Sequence, residues 1–362
     1  MLIKDSNHLV LQVARSGLKK KKGNFMLPGN NGPYNDRETP VRNTSHWLII
    51  FSKAYEITKI EKFKKIIFQF AQYLSSSEAL PYKQSFFCRQ TKNKDKCNGL
   101  IGQAWVIEAL MEAGKVLKKR KYTDLAIRIF LKHKFNQNLG LWHRLEINGK
   151  NLSIDPTLNH QIWFASSAAS IKNKKVQERI GVFLDKLEGN ITILDQGVIF
   201  HPIVKIWRRQ TYFSQLKKSM LNKNSEEETR KKMIYKSIGY HSFNLYALAI
   251  LKKQFPQHSI WSSVKIKKAL QYCFSQQYEK DTTNNKYGYP YNPIGFEMSL
   301  IYETFSIENK KDSIPWLKKQ LKQNFKTTKQ GITTTKTSDK LTLIARVYEL
   351  TRSTNLKLDQ CI

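Results

Sequence analysis

Three histidines, His46, His160 and His241, stand where runs of apolar residues at helical spacing begin. Imidazole is the side chain that takes or gives a proton near neutral pH, so each is a candidate acid or base. Each alone also reads as a structural hydrogen-bonding residue; three in equivalent settings raise the expectation that at least one touches a ligand. Four carboxylates, Asp36, Glu38, Asp155 and Glu297, fall close to the same positions. Two carboxyl groups facing each other across a sugar would suit glycoside hydrolysis. Taken singly, Asp36 and Asp155 read equally well as turn or cap residues and Glu297 as the partner of a lysine. The candidate catalytic set is therefore His46, His160, His241, Asp36, Asp155 and Glu297.

Aromatic and amide side chains gather around these residues. Arg42, Asn43 and Trp47 flank His46; Asn98, Gln103 and Trp105 form a second group; Trp142, His143 and Arg144 are consecutive; Asn159 and Trp163 flank His160; Tyr240 precedes His241; and Tyr287, Tyr289, Tyr291 and Asn292 form a proline-stiffened block. Flat aromatic faces suit sugar C–H bonds, while amides, imidazole and guanidinium give directional bonds to hydroxyls, so the mixture points to a carbohydrate pocket. Core packing explains Trp47, Trp105 and Trp163 about as well. Arg42, Arg89, Arg144 and Arg208 could clamp the carboxylate of an acidic sugar. Neither G-x-x-x-x-G-K-[ST] nor G-x-G-x-x-G occurs, nor does a G-x-S-x-G elbow or an H-E-x-x-H helix, so no nucleotide, metal or organic cofactor is expected.

Residues so far apart need a repeating scaffold to meet. Ala54-Tyr55-Glu56-Ile57-Thr58 with Glu61-Lys62-Phe63 matches in character Ala113-Gly114-Lys115-Val116-Leu117 with Arg120-Lys121-Tyr122, and Val347-Tyr348-Glu349-Leu350-Thr351 echoes the first copy. Each marks an apolar helix, a charged turn and an aromatic opening a second helix. The template predicts helix starts near Asn43, Asn98, Asn159, Gly239, Gly295 and Asp339, hence six helical hairpins. A longer interval between the third and fourth hairpins, with Gly189 to Phe200 and a charged helix around Ser225 to Lys236, reads as an insertion able to act as a lid. Lys326 to Thr337 reads as a loop. The expected division is a basic segment at 1–32, one barrel domain at 33–352 and a tail at 353–362.

Composition narrows the classes. With 362 residues and 40% apolar side chains the chain can bury a large core. No window approaches the roughly 18 apolar residues of a membrane span. The run Lys19 to Lys22 follows the apolar stretch near the N-terminus, the reverse of a secretory leader. The cysteines Cys88, Cys97, Cys273 and Cys361 are too few for a disulfide scaffold and fit a reducing, cytoplasmic setting. The net charge of +34 would attract polyanions. Its lysines are spread along the chain, however, with no base-reading motif, so specific nucleic-acid binding is not expected.

The hairpin period, with Asn43-Thr44-Ser45-His46-Trp47, Gly99-Leu100-Ile101-Gly102-Gln103-Ala104-Trp105, Asn159-His160-Gln161-Ile162-Trp163 and Tyr287-Gly288-Tyr289-Pro290-Tyr291-Asn292-Pro293, resembles the six-hairpin (α/α)6-barrel superfamily. That grouping includes N-acylglucosamine 2-epimerase-like isomerases and unsaturated-glucuronyl hydrolases; the resemblance runs from about Pro33 to Thr351 and is architectural. The chain is also similar to proteins associated with bacterial surface-polysaccharide synthesis. The resemblance implies an all-α (α/α)6 toroid with a small insertion between the third and fourth hairpins. It also implies action on a sugar or oligosaccharide, by epimerisation or isomerisation ahead of hydrolysis; the rival is a carbohydrate-binding or assembly protein without catalysis. On this reading Trp105, His160 and Tyr289 face one cavity, and Asn159 caps the helix that carries His160.

Overall fold

A computed structural model of the chain describes residues 1–208, 224–305, 313–329 and 331–362. Helices begin within two residues of all six expected starts: Val41–Thr58, Gly99–Leu117, Leu158–Ser167, His241–Gln254, Ile294–Phe305 and Lys340–Ala345. The sixth continues as a tighter helical stretch over Arg346–Arg352. These helices are covered on every side; each residue from Val41 to Ser52 is buried. Only the inner layer of a two-layer assembly buries a helix all round.

The outer layer shows the opposite pattern. Glu61–Leu74 buries Phe63, Ile66, Ile67, Phe70, Ala71 and Leu74, a single stripe at helical spacing, and turns its lysines to solvent. Arg120–Lys132, Lys174–Asn190, Val264–Cys273 and Ser313–Asn324 back the second to fifth inner helices in the same way. Successive inner helices pack on one another, and the sixth returns against the first, so the ring is closed. The first two hairpin joints are equivalent: Lys59 and Lys118 both turn left-handed, with φ of 56° and 54°, to end their inner helices. The third copy of that motif differs, since Glu349 is buried and the chain leaves through Arg352 without an outer helix following it.

The partner of the sixth inner helix is supplied from the other end of the chain. Ser6–Leu18 packs on both Val41–Thr58 and Arg346–Arg352, and strand Leu2–Asp5 pairs antiparallel with Lys357–Cys361. The segments 1–32 and 353–362 thus meet beside the seam between the first and sixth inner helices.

Two local departures from the sequence reading matter, whereas the insertion holds the charged helix expected of it. Lys326 to Thr337, expected as a loop, holds a hairpin of Phe325–Thr328 with Gly331–Thr334. A three-stranded antiparallel sheet, Phe135–Asn136, Leu141–Leu145 and Asn151–Ile154, leads into the third inner helix and carries Trp142, His143 and Arg144. In the insertion, Ile193 bridges Ile199, and the charged helix spans Asn224–Gly239; residues 209–223 of the suggested lid lie outside the described residues. No helix among the described residues is long and apolar enough to cross a membrane.

Candidate functional site

The N-terminal ends of the six inner helices share one mouth of the ring, and a cavity of about 200 Å³ opens there. Every unit contributes to it: Arg42 from the first, Trp105 from the second, Asn159 and His160 from the third, Tyr240 from the fourth, Tyr291 and Asn292 before the fifth, and Arg346 from the sixth. The loops and the insertion add Tyr34, Asp36, Arg89, Lys94, Asn98, His201 and Lys236.

His160 is held by a carboxylate. Its Nδ1 lies 2.9 Å from Asp155 Oδ2, which also accepts the Leu100 amide at 3.0 Å, while Oδ1 accepts the Thr157 amide at 3.1 Å. Burial alone would raise Asp155, but His160, the Leu100 amide and Arg144 outweigh it and hold the carboxyl at about 2. An ionised carboxylate only accepts, so Nδ1 must carry a proton, and Nε2 is the nitrogen left without a protein partner on the cavity side. The approach requires glycine: Gly99 has φ of +59°, and a Cβ there would come 2.6 Å from Asp155 Oδ2 and 2.7 Å from His160 Nδ1.

A second imidazole faces the same space. His201 lies on the segment that runs alongside the start of the third inner helix, where its carbonyl accepts the Leu158 amide at 3.0 Å. Its ring packs on Tyr240 at 4.7 Å, and its buried Nδ1 has no hydrogen-bond partner. Burial, with Lys236 and His160 adding to it, pushes His201 well below the ordinary histidine range, so it is neutral at pH 7.

Two buried arginines line the cavity. Arg42 donates to Glu38 at 3.2 Å and to Asn31 at 3.0 Å, and its guanidinium lies 4.2 Å from the Trp105 ring. Arg346 bonds Glu349 at 2.6 Å and Glu297 at 3.1 Å and lies over Phe243. Burial raises Glu38, Glu297 and Glu349 against the pull of these arginines. Tyr34 and Tyr240 share a hydrogen bond at 2.9 Å, and Tyr291 donates to Asn31 at 2.7 Å.

Of the residues singled out in the sequence, Asp36, Arg42, Arg89, Asn98, Trp105, Asn159, His160, Tyr240, Tyr291 and Asn292 line the cavity, and Asp155 stands directly behind His160. The others are elsewhere. His46 stacks on Tyr348 at 4.3 Å, fully buried one turn beyond Arg42, with neither ring nitrogen paired. His241 is pinned away from the cavity: its Nδ1 accepts the Ile199 amide and its Nε2 donates to the Ala269 carbonyl, which uses both nitrogens of a neutral ring. Glu297 is taken up by Arg346 and Ser242.

Asn43 and Gln103 satisfy backbone groups of Leu27 and of Phe86 and Cys97. Trp47, Trp142 and Trp163 are core residues, the last giving its indole N–H to the Phe243 carbonyl. His143 binds the Leu152 carbonyl, and Arg144 binds Asp95 and Ser153. Tyr287 packs on Tyr34 and Tyr240. Tyr289, expected in the cavity, is buried with its hydroxyl unpaired, and Tyr291 takes the place facing the ligand space. Nor is Asn159 the cap: the helix is entered from Thr157 without a side-chain cap, and the buried Asn159 Oδ1 has no partner. His201 and Lys236 were missed as site members because the insertion lacks the repeat that marked the rest; Arg346 had a signal, one turn into the helix that starts after Asp339.

This closed double ring, with polar and aromatic residues at its helix N-termini, defines the fold: a six-hairpin (α/α)6 toroid. Solved structures with this fold include D-mannose isomerase (TM-score 0.61, 13% identity, 94% of this chain and 96% of that one). Cellobiose 2-epimerase from Bacillus thermoamylovorans shares it as well (0.59, 12%, 87% and 88%), as does the GH76A α-1,6-mannanase from Salegentibacter (0.58, 10%, 96% and 98%). No protein-family model matches the chain. A much closer likeness is to archaeal glycosylation protein Q of Haloferax volcanii, 39% identical over 352 residues, spanning 94% of this chain and 95% of that protein. The chain belongs to the family of that glycosylation protein.

Proposed function

We propose that the cavity moves a proton at the carbon beside a sugar carbonyl, the chemistry of an aldose–ketose isomerase or a 2-epimerase, on a sugar destined for a glycan. Such a reaction needs a base, an acid and groups that stabilise the enolate. The observation that carries this reading is the pair His160 and His201 on one cavity with different settings. One has its Nδ1 proton held by Asp155, and the other is buried with its own Nδ1 unpaired, two settings that suit an acid–base couple. Arg42, Asn159 and the Tyr34–Tyr240 pair offer donors for the enolate oxygen and the hydroxyls, and Trp105 offers an apolar face.

The isomerase and epimerase folds among its structural neighbours support the reading, and the relative's name supplies the glycosylation setting. Hydrolysis fits less well: Asp36 is the only carboxylate lining the cavity among the described residues, and it is engaged by Lys94 and Asn31, whereas a glycosidase needs two carboxyl groups across the bond. The protein would be incubated with a panel of aldoses, ketoses and their oligosaccharides and the products resolved by NMR. A C2 epimer or the matching ketose is expected. Released monosaccharide from an oligosaccharide would replace this reading with hydrolysis, and binding without any product would make the protein a carbohydrate-binding one.

A further inference from the structure

Five cations line the cavity, and four of them have a carboxylate. Arg42 is matched by Glu38, Arg346 by Glu297 and Glu349, Arg89 by Asp95, and Lys94 by Asp36. The fifth, Lys236, has none among the described residues. Its ammonium is held over the rings of Tyr34 at 4.9 Å and Tyr240 at 5.6 Å, the two tyrosines whose hydroxyls bond each other at the cavity wall.

A lysine on a helix as exposed as Asn224–Gly239 could swing into solvent, where its charge costs least. Here it is instead folded inward onto two aromatic faces, which fix its position but do not neutralise it. Burial, with Lys94 adding to it, brings Lys236 down to about 8, as expected of a cation that has lost water without gaining an anion. Lys94 reaches the same cavity from the loop before the second inner helix, its side chain 40% exposed.

We propose that Lys236, with Lys94 on the same cavity, forms a subsite for an anionic group, a carboxylate or a phosphate, carried by the sugar that occupies the cavity. The inference rests on the sugar-binding reading of this cavity and names the class of sugar it takes: a uronate or a sugar phosphate rather than a neutral sugar. The anion would complete the charge balance of the cavity and orient the ring, leaving the deeper groups to hold the reacting end.

Titration calorimetry tests this with D-glucuronate, D-galacturonate, D-glucose 6-phosphate, D-glucose and D-galactose as probes. At least one acidic sugar should bind about tenfold or more tightly than its neutral counterpart, the size of one charge-assisted contact. Which acid wins tells carboxylate from phosphate. Lys236→Met should remove most of that preference and Lys236→Arg should keep it, each with wild-type melting behaviour as the check on folding. Neutral sugars binding as tightly as acidic ones, no acidic sugar binding at all, or a preference that survives Lys236→Met overturns the subsite. Proton exchange confined to neutral sugars would sustain the acid–base reading while overturning this one; tight binding of an acidic sugar without exchange does the reverse.

Discussion

Replacing Asp155 with asparagine separates the two things the carboxylate does, since the change keeps its size and removes its charge. The native group accepts three hydrogen bonds, from the amides of Leu100 and Thr157 and from His160. An amide offers one acceptor oxygen and one donor NH2, so Asp155→Asn must place an N–H against a buried donor whichever way it turns. With the oxygen toward Leu100, the Thr157 amide is left facing an NH2. With the oxygen toward Thr157, the Leu100 amide is stranded and His160 must move its proton to Nε2. One unmade buried hydrogen bond costs about 1–3 kcal/mol.

The pH behaviour gives an independent figure. Asp155 is lowered from 3.8 to about 2 on folding, which corresponds to about 2 kcal/mol of stability at neutral pH. Because the folded value is the lower one, that contribution is complete above about pH 4 and is lost as the pH falls through about 2. Asp155→Asn should therefore melt roughly 1–4 °C below the wild type at pH 7, with the gap narrowing between pH 4 and pH 2. Turnover should fall roughly a hundredfold or more, because the tautomer of His160 is no longer fixed. Differential scanning calorimetry across pH, with turnover at pH 7, reads both. A variant that matches the wild type in melting and turnover, or a deficit that is unchanged at pH 3, refutes the account of Asp155.

Two further changes probe the frame around the site. Gly99→Ala should cost about 1–3 kcal/mol from its left-handed backbone and also displace the dyad, lowering turnover at least tenfold when measured on fully folded protein; a silent variant would mean that Asp155 and His160 need no such close approach. His241→Ala should lower the melting temperature by stranding the buried Ile199 amide and Ala269 carbonyl, at about 2–4 kcal/mol. It should leave catalysis per folded molecule intact, and a selective loss of activity would return His241 to the site.

The six inner helix starts were legible because the same physical need recurs at each: a polar entry followed by apolar residues at helical spacing. Asn98 and Asp339 mark their helices to the residue, as the positions just before Gly99 and Lys340. Rotation and depth within the ring were not legible. Arg42 and His46 share a helix face, yet one turn separates a residue at the cavity from one sealed beneath Tyr348. His241 opens its inner helix, whereas His160 is the third residue of its own, and that difference in rotation turns His241 onto the neighbouring Ala269 carbonyl. His201 and Lys236 come from the insertion, which belongs to no repeat, so only the folded chain brings them to His160. The Phe325–Thr334 hairpin was hidden by composition: its threonines and lysines read as a loop, although Ile332 and Thr334 alternate inward as a strand does.

The central claim is that His160 and His201 exchange a proton with a sugar carbon inside this cavity. NMR of sugars incubated with the protein in D2O measures it directly, as deuterium appearing at the carbon beside the carbonyl. The account predicts wash-in with the wild type and its loss in both His160→Ala and His201→Gln. The His160 variant should keep a near-normal melting temperature, because Asp155 retains the Leu100 and Thr157 amides. Wash-in that persists in either variant, or a wild type that binds the sugar without exchanging its proton, contradicts the claim.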